Sequence, residues 1–262
     1  ATAGAALANF GVLLSGYAPV NLNFSAGREA LEAAIRQCGL RTILSSRAFL
    51  DRVGLEPPAG TVLLEEVSAG FRALRKAAVA AMVRLVPGPV LARRYSGRSV
   101  DDVATVIFSS GSTGEPKGGV LSHRNIVSNI DSLRGIFRLQ DDDRVIGVLP
   151  FFHVFGFTCT LCFPLIYGYA AAYHPNPTDA RTLGELTARY RGTLLMATPT
   201  FFGHYLRRVE REEFRTLRYA IAGGEKLPPV LARAFEEKFG IPLLEGYGVT
   251  ETSPVVAVNV PD

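Results

Sequence analysis

The chain has 262 residues, 48% hydrophobic and 20% charged, with a net charge of +4 and a pI near 9.1. This composition allows a sizeable core and excludes a disordered chain. The mild basicity suits anionic ligands, but the basic and aromatic residues do not interleave as nucleic-acid binding requires. Three cysteines, Cys38, Cys159 and Cys162, are too few for a disulfide framework and imply a reducing, cytoplasmic setting.

In chain order, Ala1–Ser15 is predicted as an apolar helix stopped near Gly16, and Ala18–Leu22 as a short strand. Arg28–Cys38 is a predicted helix with Leu31, Ala34, Ile35 and Cys38 on one face and Gly39 as its stop, followed by a strand at Thr42–Leu44. This alternation continues and predicts an α/β fold of layered, mostly parallel sheets with flanking helices, in one large or two fused lobes. Phe71–Leu91 mixes Arg72, Arg75, Lys76 and Arg84 with Leu74, Val79, Met82, Val83, Leu85 and Val86. It is predicted as one basic amphipathic helix, which either packs on its own domain or lies on an anionic membrane surface. Val145–Tyr173 contains no charged residue and is long enough to span a bilayer. Pro150, His153, Gly156, Pro164 and Gly168 interrupt it, so a buried strand, loop, helix and second strand are expected instead. Cys159-x-x-Cys162 lacks a second pair of zinc ligands and reads as two buried thiols.

The β-rich run Val103–Phe108 leads into Ser109-Ser110-Gly111-Ser112-Thr113-Gly114-Glu115-Pro116-Lys117-Gly118-Gly119. Glycines let backbone N–H groups approach phosphate oxygens, the hydroxyls donate further hydrogen bonds, and Lys117 adds charge. The loop is not the nucleotide-binding G-x-x-x-x-G-K-[ST] motif, because Pro116 takes the second glycine position and Gly118 follows the lysine. Ser109, Ser110, Gly111, Ser112, Thr113, Gly114 and Lys117 are the candidate phosphate-binding residues.

Further on, Tyr219–Gly224 is a predicted strand ending in the Gly223-Gly224-Glu225 turn, a helix begins at Pro229, and Leu244-Glu245-Gly246-Tyr247-Gly248-Val249-Thr250-Glu251 precedes a last strand at Val255–Val258. In their order, the Ser109–Gly118 loop, Pro150-Phe151-Phe152-His153-Val154-Phe155-Gly156 and the Leu244–Glu251 segment resemble the acyl-adenylate-forming superfamily, whose members include acyl-CoA synthetases, luciferases and peptide-synthetase adenylation domains. The resemblance covers essentially the whole chain. It implies that Tyr247 stacks on adenine, Thr250 meets the α-phosphate and Glu251 holds Mg²⁺, with Gly246 and Gly248 beside them. It further implies that Gly223, Gly224 and Glu225 lie near the adenine and acyl pocket, and that His153 sits by the reacting carboxylate. An aromatic face suits a purine, a hydroxyl suits a phosphate oxygen and a carboxylate suits a hard cation.

Within the superfamily, Asn21–Gly27, Thr42–Asp51, Phe202-Gly203-His204-Tyr205 and Leu244–Glu251 are similar to the bacterial bifunctional acyl-carrier-protein synthetases/2-acylglycerophosphoethanolamine acyltransferases. That likeness implies a long-chain fatty acid as substrate, ATP and Mg²⁺ as cofactors, acyl-carrier protein or CoA as thiol acceptor, and the inner membrane as location. His174-x-x-x-x-Asp179 fits the glycerolipid acyltransferase pattern, but its two prolines and its place in the adenylating region argue against that role. The superfamily's ribose-binding aspartate, hinge and small C-terminal domain with its lysine are not found after Glu251. Residues 1–262 are therefore expected to be part of a large N-terminal domain, and to adenylate poorly or not at all by themselves.

Overall fold

A computed structural model of the chain describes residues 1–93, 97–109 and 116–260. Local signals start and stop the first elements as the sequence predicts. Helix α1 (Ala3–Leu14) begins where Thr2 accepts a hydrogen bond from the Ala5 N–H, and Gly16 follows it at φ +83°. Helix α2 (Arg28–Gln37) buries Leu31 and Ala34, and Gly39 ends it at φ +58°. The short strand β1 (Ile43–Ser45) pairs in parallel with β2 (Thr61–Leu63), and α3 (Arg47–Val53) joins them. The strand expected at Ala18–Leu22 does not form. Asn21 instead exchanges side-chain hydrogen bonds with Asn9 of α1, and the Pro19 carbonyl accepts from the buried Thr105 hydroxyl at 2.7 Å. No described strand forms a backbone ladder with it.

Past α4 (Leu64–Ala69), the predicted Phe71–Leu91 helix is two helices, α5 (Ala73–Leu85) and α6 (Gly88–Ala92). The break is at Val86, which Pro87 forces into extended backbone (φ −90°, ψ 124°). Strand β3 (Val103–Ser109) then pairs antiparallel with β4 (Lys117–Ser122) as a hairpin, with Ser109 opposite Lys117.

The main sheet has six strands in the order β10-β9-β8-β7-β5-β6: β5 (Arg144–Gly147), β6 (Ala170–Tyr173), β7 (Leu194–Ala197), β8 (Tyr219–Gly223), β9 (Leu243–Gly248) and β10 (Val255–Val258). All neighbours are parallel except β10, which runs antiparallel to β9. Helices α7 (His123–Ile136), α8 (Phe163–Tyr167), α9 (Ala180–Tyr190), α10 (Pro199–Arg208) and α11 (Pro229–Phe239) flank and connect these strands. The fold is α/β with a mostly parallel sheet, as predicted. Asp143 enters β5 almost fully buried, and both its oxygens accept from Arg218 at 2.8 Å, which joins the loops before β5 and β8.

The charge-free Val145–Tyr173 stretch is strand, loop, helix and second strand, buried over β5 and the helix that follows, with Leu165, Ile166 and part of the edge strand β6 reaching the surface. Its helix is a π-helix over Gly156–Cys162 in which every residue is buried. Two cores explain why it tolerates no charge. Cys159 packs into the larger core around the sheet, while Phe157, Leu161 and Cys162 pack into a smaller one with Ala6 of α1, Ile107 of β3 and Ile126 of α7. A helix apolar all round is a helix covered all round. Among the described residues, no helix is long and apolar enough to cross a membrane.

Candidate active site

The chain leaves β5 towards β6 on one side and then crosses back, so that β7 and all later strands lie on β5's other side. This reversal of strand order opens a crevice at the C-terminal ends of β5 and β7, where open α/β sheets bind their ligands. A cavity of about 330 Å³ lies there. Leu133, Phe137, Leu149, Phe163, Leu194 and Ile221 form its apolar interior, and His153, Thr198, Tyr247 and Thr250 bring polar groups to it.

Three segments far apart in sequence converge on this cavity. His153 comes from the loop after β5, Gly223 and Gly224 from the end of β8, and Gly246, Tyr247, Gly248 and Thr250 from the end of β9 and the turn beyond it. Gly224 sits at φ +80°, where a side chain would be strained, and a Cβ on Gly223 would stand 3.0 Å from the Phe155 ring. Tyr247 is 63% exposed, which leaves its ring open to a stacking partner. Glu251 follows Thr250 on an exposed single 3₁₀ turn, Thr250–Thr252.

The hairpin reaches the same place. Ser109 and Lys117 form its last described rung, and a Cβ on Gly119 would come within 3.1 Å of Thr250 Cγ2. Ser110, Gly111, Ser112, Thr113 and Gly114 lie outside the described residues. Glu225 stands apart from the cavity lining. Its carboxylate accepts from the Thr200 backbone N–H at 3.2 Å and from the Thr200 hydroxyl at 2.6 Å, tying the β8–α11 loop to the start of α10.

Two participants escaped the sequence. Asn129 of α7 donates to the carbonyls of Thr252 (3.2 Å) and Val255 (2.8 Å) and accepts from the Val255 N–H (3.2 Å), clamping the turn that carries Thr250 and Glu251. A lone asparagine on a helix 126 residues away gives no sequence signal for this. Thr198 lines the cavity while capping α10, and here a signal existed: a threonine followed by a proline is a helix start. His174 and Asp179 do approach, at 3.4 Å, but neither lines the cavity, and Asp179 accepts from the Thr182 N–H as the cap of α9.

The family model of the AMP-binding enzymes matches residues 2–262. The chain belongs to the AMP-binding enzyme family. A long-chain-fatty-acid–CoA ligase of Yersinia pestis is 30% identical over 281 residues, which cover 97% of this chain and 50% of the relative. A sulfoacetate–CoA ligase of Cupriavidus necator is 33% identical over 153 residues, covering 58% of this chain and 30% of the relative. The o-succinylbenzoate coenzyme A synthetase of Bacillus subtilis, solved in complex with ATP and magnesium ion, superposes with a TM-score of 0.77 at 21% identity, covering 100% of this chain and 50% of its own. That last likeness establishes the fold. The chain spans about half the length of the first of these relatives.

In this AMP-binding chain, desolvation by the cavity's apolar walls lowers the pKa of His153 below its ordinary 6.5, although the ring reaches the surface at the cavity mouth. Between the folded midpoint and 6.5 the unfolded chain binds more protons at this ring. Its contribution to stability is therefore complete above 6.5 and lost as the pH falls through the folded midpoint. An imidazole NMR titration is expected to place His153 below 6.5, so that the ring is neutral at pH 7.

The paired cysteines are free and buried, and burial raises Cys159 to about 12 and Cys162 higher still. Among the described residues, no group of three or more His, Cys, Asp or Glu side chains could hold a metal ion. Thiol labelling of the native protein at pH 8 is expected to modify Cys38 alone, with all three reacting after unfolding.

Proposed function

We propose that the protein carrying this chain is an acid–thiol ligase. It activates a carboxylic acid with ATP to an acyl-AMP, then passes the acyl group to the thiol of CoA or acyl-carrier protein. The observation that carries this is one cavity in which an apolar interior meets His153 on one side and the Tyr247–Thr250 segment on the other. An alkyl chain would lie in the interior and its carboxylate at the polar rim, beside the nucleotide.

Each residue has a physical task in that reaction. Tyr247 offers an exposed ring to adenine, and Thr250 a hydroxyl to the α-phosphate. The Ser109–Gly114 loop and Lys117 would hold the outer phosphates, with Gly223, Gly224, Gly246 and Gly248 allowing close backbone approach. Neutral His153 can donate one hydrogen bond to the carboxylate without competing for its charge. A carboxylate oxygen attacks the α-phosphorus as the bond to pyrophosphate breaks, and pyrophosphate leaves with the bonding electrons. The thiol sulfur then attacks the acyl carbon, and AMP leaves.

Two anions must be brought together, so the protein's contribution is positioning and charge stabilisation. Glu251 suits Mg²⁺, which binds through one or two carboxylates together with substrate phosphates and water rather than in an all-protein cage. When bound, Mg²⁺ would neutralise phosphate charge.

The apolar lining and the Yersinia pestis relative favour a long-chain fatty acid, while the sulfoacetate–CoA ligase marks the polar alternative. The similarity of Asn21–Gly27 and Thr42–Asp51 to the bifunctional acyl-carrier-protein synthetases favours acyl-carrier protein as acceptor and an inner-membrane location. Carboxylate-dependent ATP–pyrophosphate exchange, measured on the full-length protein over fatty, aryl and amino acids, tests the adenylation step and the acid class together. Exchange with long-chain fatty acids is the expected result, and absence of exchange with every acid would leave only a nucleotide-binding module.

A further inference from the structure

Every residue of α5 is exposed. Leu74 and Leu85 are 85% and 80% exposed. Leu74, Ala78, Ala81, Met82 and Leu85 recur at helical spacing and form one apolar stripe along α5. Arg75 and Arg84 flank it, Lys76 and the N-cap Arg72 lie on the far side of the helix, and no ion pair involves any of the four among the described residues.

The charge is concentrated here. From Val67 to Val100 the sequence carries seven Lys or Arg residues and no Asp or Glu, so the rest of this +4 chain is net negative. An acidic surface would be matched by this segment and repelled by the remainder. Two copies of the segment would repel one another, which disfavours a dimer through α5. Its stripe is aliphatic, without the aromatic platforms that bind nucleic-acid bases.

We infer that α5 is a membrane-docking helix that lies in the headgroup plane of an anionic bilayer, with Leu74, Met82 and Leu85 inserted, Arg75 and Arg84 on lipid phosphates, and Arg72 and Lys76 adding longer-range attraction from the outer face. Interfacial helices combine these same two features, an apolar face and flanking cations. The α5–α6 junction at Val86–Pro87 lets α5 meet the surface without extending into a longer rod. The inference does not depend on the ligase reading, although it would place such an enzyme where long-chain acids partition.

The chain has no tryptophan, so Leu74→Trp supplies a single reporter at the proposed contact. With vesicles of phosphatidylglycerol and phosphatidylethanolamine, its fluorescence is expected to shift to the blue and to be quenched by brominated acyl chains. Neither change is expected with phosphatidylcholine vesicles. Reversing Arg72, Arg75, Lys76 and Arg84 to Glu is expected to weaken co-sedimentation with anionic vesicles by at least about a hundredfold. Leu74→Ser with Leu85→Ser is expected to weaken it by about tenfold. These side chains are exposed, so circular dichroism and thermal melts should match the parent.

An unshifted reporter would overturn the inference, as would vesicle binding that survives both sets of substitutions. Self-association through α5 in sedimentation would overturn it too, in favour of a second copy as the occupant. Pyrophosphate exchange in detergent, measured on the same variants in the full-length protein, keeps the two proposals separate. Lost vesicle binding with retained exchange confirms α5 as the docking element and leaves the ligase reading standing.

Discussion

Glu251→Ala is expected to lower ATP–pyrophosphate exchange by on the order of 10²–10³-fold, the usual effect of removing one group that stabilises transition-state charge. The same substitution should leave the thermal midpoint nearly unchanged, because Glu251 is exposed on a single 3₁₀ turn and no hydrogen bond or ion pair to its side chain is recorded among the described residues. Glu251→Gln should be nearly as slow as the alanine variant if the negative charge, and not the shape, is what matters for a bound cation. Exchange within tenfold of the parent would remove Glu251 from the cation's ligands. Asn129→Ala provides a graded comparison. It leaves Glu251 in place but frees the turn, so a loss of exchange there would show that the clamp from α7 is what holds Thr250 and Glu251 in position.

Gly156→Ala is expected to destabilise the protein by about 3 kcal/mol or more, at the upper end of what overpacking a core costs. The added methyl would fall on the Pro150 carbonyl oxygen and 2.9 Å from the Leu149 carbonyl oxygen. Both are backbone atoms, and Gly156 is itself buried at the start of the π-helix, so no flexible side chain can yield. At about 2–4 °C per kcal/mol for a domain of this size, a thermal melt should show a drop of about 6–12 °C. Activity should fall as well. His153 is held between these same backbone groups, its N–H donating to the Pro150 carbonyl at 3.2 Å and its carbonyl accepting from the Phe157 N–H at 2.9 Å. A variant with parent-like stability would mean that the Leu149–Pro150 turn can move, and that His153 is less firmly placed than this geometry requires.

The elements were legible wherever the deciding interaction is local. Gly16 and Gly39 end their helices at positive φ as expected, through contacts within a few residues, whereas the local signal of Pro87, which splits the helix expected over Phe71–Leu91, was passed over. The Val145–Tyr173 segment was also legible, because its lack of charge matches the burial of β5 and the Gly156–Cys162 helix, and its prolines and glycines forbid one continuous span. The Ala18–Leu22 strand misled for the opposite reason. Its residues suit an extended chain, but a strand exists only with a neighbour to pair with, and here Asn9 and Thr105 supply the bonds instead.

By itself the sequence determined the family, through the order of the Ser109–Gly118, Pro150–Gly156 and Leu244–Glu251 segments, and it determined the parallel α/β class through its alternating periods. Only the tertiary structure decided that β3 and β4 pair antiparallel, that Glu225 turns towards Thr200, that Asn129 clamps a turn 126 residues away, and that every residue of α5 is exposed. The physical reason is the same in each case. Periodicity and capping report what a residue does to its own segment, whereas partners and burial depend on which distant segments the closed sheet brings beside it.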